Sequence, residues 1–199
     1  MAMESFECAS VTLAACRAVL GRLTVADQAR PSPCAEYTVG EVGEHVVRSM
    51  VLLASVAGAA AGAAAGGPSG SAEGLAAGFL DERVTVTAGA ALAAWRRRGL
   101  GGSVAVGRST LPAGLAVEII SLELLVHGWD MARATGSEIE VPAEVASHVL
   151  GCARSLVTPD KRGRSFAAEV PAGPSATALE RLIAFTGREP LFAVSRRSR

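Results

Sequence analysis

The chain has 199 residues, half of them apolar and 19 % charged, which is enough for one sizeable core and reads as a single domain. Nineteen basic and nineteen acidic residues cancel, so no broad field favours nucleic acid or an anionic membrane, and neither is expected as a partner. Cys8, Cys16, Cys34 and Cys152 form no C-x-x-C pair, which argues against a zinc ribbon or disulfide framework and for reduced thiols in a cytoplasm. Glu4 and Glu7 occupy the stretch where an export signal would be basic, and none is expected.

Aromatic residues make up only 4 % of the chain and no period-2 alternation is sustained, so the expected class is all-α. A first helix is expected over about 3–23, burying Phe6, Val11, Leu13, Val19, Leu20 and Leu23. Pro31 and Pro33 then break the helical pattern. Thr38 with Glu41 three residues later is a capping box, which starts a second helix running to about 59. The stretch 51–67 is long and apolar, but alanine and glycine add little transfer energy, so it reads as a helix tail entering a loop. Residues 58–74 are taken as a low-complexity connection without assigned shape.

A third helix is expected over about 76–98, with Arg96–Arg98 as its polar end. A glycine-rich connection follows, with a short extended piece at 104–106, and then a fourth helix over about 112–135 with Gly136 as its C-cap. Four long helices suggest a bundle of about 3–136. The extension 137–190 carries two amphipathic helices, "VPAEVASHVLGCARSLV" and "SATALERLIAFTG", separated by a loop with at most a strand, and 191–199 is a tail.

"SLELLVHGWDMARATG" (121–136) carries the chemistry. Glu123 and His127 are one turn apart, on a stripe with Ala116, Ile120 and Ala134 that faces the bundle interior. A carboxylate and an imidazole placed there need a partner, and a divalent metal satisfies both. His45, on the second helix with Val42, Ser49 and Leu52, is again a histidine among core positions. At this level a metal site and a polar core network in which Glu123 pairs with a histidine explain the residues equally well. Asp130 is suited either to accept an imidazole N–H or to pair with Arg133 or Arg17. Cys34 reads as a buried small hydrophobe, His148 as an ordinary histidine, and Glu41 and Glu44 as capping and solvated residues.

"PSPCAEYTVGEVGEHVV" (31–47) resembles a P-x-P-C-x-E-W-x-V-x-D-L-x-x-H motif, and "ELLVHGWDMARATG" (123–136) resembles E-L-x-V-H-G-W-D-L-A-x-A-T-G. "LERLIAFTGREP" (179–190) is similar to a further L-x-x-L-x-A-F-x-G-R-x-P motif. All three look like the DinB-like metal-binding superfamily, in the actinobacterial group related to the N-terminal domain of mycothiol-dependent maleylpyruvate isomerase. The resemblance implies a four-helix bundle with additional C-terminal helices, holding one divalent metal on His45, Glu123 and His127. Three ligands leave a coordination position open, as in catalytic sites. Zinc is the first expectation for the ion, with nickel, iron or manganese as alternatives.

In related proteins the cosubstrate is mycothiol or bacillithiol, so the expected activity is transfer of a thiol, or of water, to a small electrophile, or isomerisation of one. The alternative is a non-catalytic metal-binding or regulatory module. Related bundles also imply a homodimer. Tyr37 stands where the motif has tryptophan. The isomerase has a further C-terminal domain with a substrate-binding arginine, whereas about 60 residues follow Gly136 here, so isomerase activity itself does not carry over.

Overall fold

The computed structural model describes residues 4–58, 77–107, 109–163 and 165–190, so most of the 58–74 connection and the 191–199 tail lie outside the described residues. The fold is all-α: six α-helices and one two-stranded hairpin appear among the described residues. No helix is long and apolar enough to cross a membrane. The bundle consists of α1 (Ser5–Leu20), α2 (Val39–Val56), α3 (Ala77–Arg98) and α4 (Ala113–Thr135), with α5 (Ala143–Leu156) and α6 (Ala178–Phe185) packed on each other and α5 against α1 and α4.

α1 buries a different face from the expected one. Val19 and Leu20 are buried, but Phe6, Val11, Leu13 and Leu23 only flank the core; the inner face is Cys8, Ala9, Thr12 and Cys16. Small side chains at that face let the backbone of α1 lie close to α4, and Gly128 completes the approach. A Cβ there would stand 3.5 Å from the Cα of Cys16 and 2.7 Å from Cδ1 of Ile139.

The Thr38 capping box forms: the Thr38 N–H donates to the Glu41 carboxylate at 2.8 Å, and the Glu41 N–H donates to the Thr38 hydroxyl. Before it, residues 31–38 fold into a knot. Val39 N–H donates to Arg30 O, Pro31 bridges Thr38, and the Ser32 hydroxyl donates to Tyr37 O at 2.7 Å. This knot fixes Cys34 and Tyr37 beside the start of α2. α2 and α3 are joined by the buried Trp95, whose indole N–H donates to Leu53 O at 3.0 Å.

The extended piece expected at 104–106 is β1 (Ser103–Val106), and it has a partner that the sequence reading lacked, β2 (Ser109–Pro112), antiparallel with Val104 opposite Leu111. Between α5 and α6 no full strand forms among the described residues; a 3₁₀ turn at Pro159–Lys161 and a single bridge between Arg162 and Phe166 take its place. α4 is buried along nearly its whole length, as a helix touching α1, α2, α3 and α5 must be. It ends at Gly136, left-handed at φ +73°, with Ser137 N–H reaching back to Ala132 O.

Candidate metal centre

α4 carries Glu123 and His127 one turn apart, and α2 brings His45 to face them. Oε2 of Glu123 lies 3.1 Å from Nε2 of His45 and 3.7 Å from Nε2 of His127. The two imidazoles meet edge to face, with centroids 4.8 Å apart. One donor atom from each of the three residues lies within 4.8 Å of the other two. Oε2 of Glu123 is also cut off from solvent without receiving a hydrogen bond of good geometry. Two imidazole nitrogens and a carboxylate are the donor chemistry of zinc and its neighbours. The residues therefore fit a divalent ion.

The α4 stripe faces the interior as expected, with Ala116, Ile120, His127 and Ala134 buried, and it is the α2 side of the cluster that reaches the rim. His127 is buried, but the His45 side chain is 31 % exposed, and Leu52, expected in the core beside it, is 50 % exposed. The reason is the face α2 turns inward, which runs through Val39, Val42, Val46, Met50 and Leu53 and leaves His45 on its margin. Tyr37 stacks on the His45 ring at 5.7 Å, so the tyrosine standing in the tryptophan position still braces that histidine.

Behind His127, Nδ1 faces Oδ2 of Asp130 at 3.0 Å. The carboxylate, acceptor-only when ionised, assigns the proton to Nδ1 and leaves the Nε2 lone pair toward Glu123 and His45. Asp130 is fully buried and accepts two hydrogen bonds at 2.7 Å from Arg188. The partners expected for it, Arg133 and Arg17, are not the ones it takes: Arg133 donates to Pro190 O and stacks over Trp129. Arg188 was missed because it lies 58 residues further on; the signal available was its place in "LERLIAFTGREP".

Burial pushes the Glu123 carboxyl up, but the His45 and His127 imidazoles outweigh it and hold it at about 2. Burial likewise opposes ionisation of Asp130, and His127 and Arg188 hold it below the usual carboxylate range. Cys34, expected to be an inert hydrophobe, is half-buried with its thiol within 4.8 Å of His127 and Asp130 donor atoms. Burial raises its pKa, against the pull of Arg188. Glu41 is the cap, Glu44 pairs with Arg83, and His148 pairs with Glu118 away from this site.

Gly187 delivers Arg188. Its φ is +86°, and a Cβ there would stand 2.6 Å from Ala167 Cβ and 2.9 Å from Ala168 O. Both the conformation and the space require glycine. Gly187→Ala is expected to cost about 1–3 kcal/mol and to displace the guanidinium, read as a lowered urea midpoint together with weakened metal binding.

The model of the mycothiol maleylpyruvate isomerase N-terminal domain matches residues 11–132, a span that includes His45, Glu123, His127 and Asp130 and ends before Arg188. Uncharacterized proteins from two strains of Mycobacterium tuberculosis, CDC 1551 and H37Rv, are each 28 % identical to the chain over 160 residues, 79 % of this chain and 83 % of theirs. No solved structure matches. With three histidine and carboxylate donors gathered on its α2 and α4, the chain belongs to the family of the mycothiol maleylpyruvate isomerase N-terminal domain, a DinB-like metal-binding family.

Proposed function

We propose that the protein holds one divalent ion, zinc before nickel, iron or manganese, on His45, Glu123 and His127, and activates a low-molecular-weight thiol or a water for addition to a small electrophile in the cytoplasm. The observation that carries this is the convergence of three donors: Oε2 of Glu123, cut off from solvent, lies 3.1 Å from Nε2 of His45 and 3.7 Å from Nε2 of His127. When bound, the ion supplies a Lewis acid that lowers the pKa of a coordinated thiol or water toward neutrality. Mycothiol is the cosubstrate the family suggests.

The residues divide the work. Asp130 accepts from Nδ1 of His127 and holds the ring so that Nε2 is the free donor. Arg188 holds Asp130 and balances its buried charge. Glu123 is ionised at neutral pH and brings a full negative charge. Three protein donors are one fewer than a closed tetrahedral site uses, and the exposed edge of His45 is the side from which a thiol or electrophile can approach.

The test is turnover of a panel of small electrophiles with mycothiol by zinc- or nickel-loaded protein, with thiol binding followed by calorimetry. Metal-dependent thiol binding and thiol-dependent turnover, both lost in His127→Ala, are expected. Stoichiometric metal with neither thiol binding nor turnover would replace this reading with a non-catalytic metal-binding module.

A further inference from the structure

A second group of ligand-type side chains lies elsewhere on α4, facing α1 and α5. Cys8 of α1, Glu118 of α4 and His148 of α5 have donor atoms within 4.8 Å of one another. Oε1 of Glu118 lies 3.0 Å from Nε2 of His148. Cys152, one turn beyond His148 and so on the same face of α5, has its sulfur 3.7 Å from that nitrogen. Glu118 is only 5 % exposed. Its Oε2 is buried with no hydrogen bond of good geometry, and thiols approach this pair, Cys152 at Glu118 and Cys8 at the neighbouring Ser121. Among the described residues, no lysine or arginine pairs with Glu118.

We propose that Cys8, Glu118, His148 and Cys152 form a second metal site, a structural zinc centre that ties α5 to α1 and α4. A carboxylate buried this deeply calls for a cation, and among the described residues its ion-pair partner is an imidazole that is itself a ligand type. Thiolate, imidazole and carboxylate together select zinc or cobalt over magnesium or calcium. A tetrahedral ion with bonds of about 2.0–2.3 Å sets its donors about 3.3–3.8 Å apart; around His148 one separation, 3.7 Å, falls in that range and the other, 3.0 Å, lies just below it. Four protein donors fill a tetrahedral shell and leave no position for substrate, so the site braces the fold instead of doing chemistry. Binding releases the thiol protons to the buffer.

This site is independent of the His45, Glu123 and His127 centre and is tested with that centre removed. Metal-free full-length His45→Ala/His127→Ala protein, kept reduced, is titrated with cobalt(II). Expected are one bound ion per chain, thiolate-to-cobalt charge-transfer absorption in the near ultraviolet that zinc bleaches, and a thermal midpoint raised by zinc. Added in that background, Cys8→Ser or Cys152→Ser should weaken the band, and Glu118→Gln, which keeps the shape of the side chain, should lower cobalt affinity about tenfold or more. No charge-transfer band at cobalt concentrations that saturate the wild type would overturn the proposal. So would a band that survives Cys8→Ser and disappears in Cys34→Ser. Where a cysteine variant does not fold, Glu118→Gln decides, and unchanged affinity refutes the site.

Discussion

His127→Ala is expected to weaken zinc binding at the His45, Glu123 and His127 centre by far more than the roughly 10–100-fold that loss of a partner behind a ligand costs. The side chain contributes twice: Nε2 is one of three donors, and Nδ1 is the group through which Asp130 and Arg188 reach the site. Competition against a chelator measures the effect, in a Cys8→Ser/Cys152→Ser background that removes both thiols of the second site, so that this centre is the one counted. Glu123→Gln should fall in the same range, because it replaces a full negative charge with a neutral amide. Asp130→Asn should lose only the roughly 10–100-fold of an orienting partner, and that gradation separates ligands from the residue behind them. Equal affinity in wild type and His127→Ala would remove the centre from the proposal.

The same competition run against pH has a defined sign. Metal binding requires an ionised carboxylate and neutral imidazoles. Glu123, held at about 2 in the metal-free protein, stays ionised down to strongly acidic pH and offers its charge to the metal throughout. Affinity should fall as pH falls, because protons compete with the metal for its donors, and Glu123→Gln should lower it at every pH.

How much of this was legible in the sequence depended on how far apart the cooperating residues are. Thr38 with Glu41, and Gly136 after its helix, are signals contained within a few residues, and the structure uses them as capping box and left-handed cap. Glu123 and His127 are also local, since a helix puts positions four apart on one face. His45 was found from its pattern and from the motif resemblance, but its burial was misjudged, because periodicity marks a face without saying how wide the buried arc is. The β2 strand, four residues ending in proline, is too short to show a period. α1 was read by its large side chains, whereas close packing on α4 favours the small ones. Arg188 joins Asp130, and Cys8 joins Glu118 and His148, only after the helices have packed.

Arg188→Ala is expected to cost about 3–5 kcal/mol of folding stability, the range for removing one partner of a buried ion pair. Asp130 has no exposed surface and takes two hydrogen bonds from Arg188, so without the guanidinium it keeps only the His127 N–H against the cost of burial. Urea unfolding of metal-free protein measures this. The pH dependence shows where the cost lies. The native carboxyl of Asp130 is held below its ordinary value, so the unfolded chain binds the extra proton on acidification. The stabilisation is complete above the unfolded value, near pH 4, and is lost as pH falls through the native one. In Arg188→Ala the carboxyl rises and that loss shrinks, so the two stability curves should converge toward low pH. Arg188→Lys keeps the charge without the two-pronged contact and should recover only part of the difference. Adding Asp130→Asn to Arg188→Ala should restore stability relative to Arg188→Ala alone, because the stranded charge is gone. Parallel curves, or a double variant less stable than either single one, would mean that Arg188 acts through packing against the end of α6 and not through Asp130.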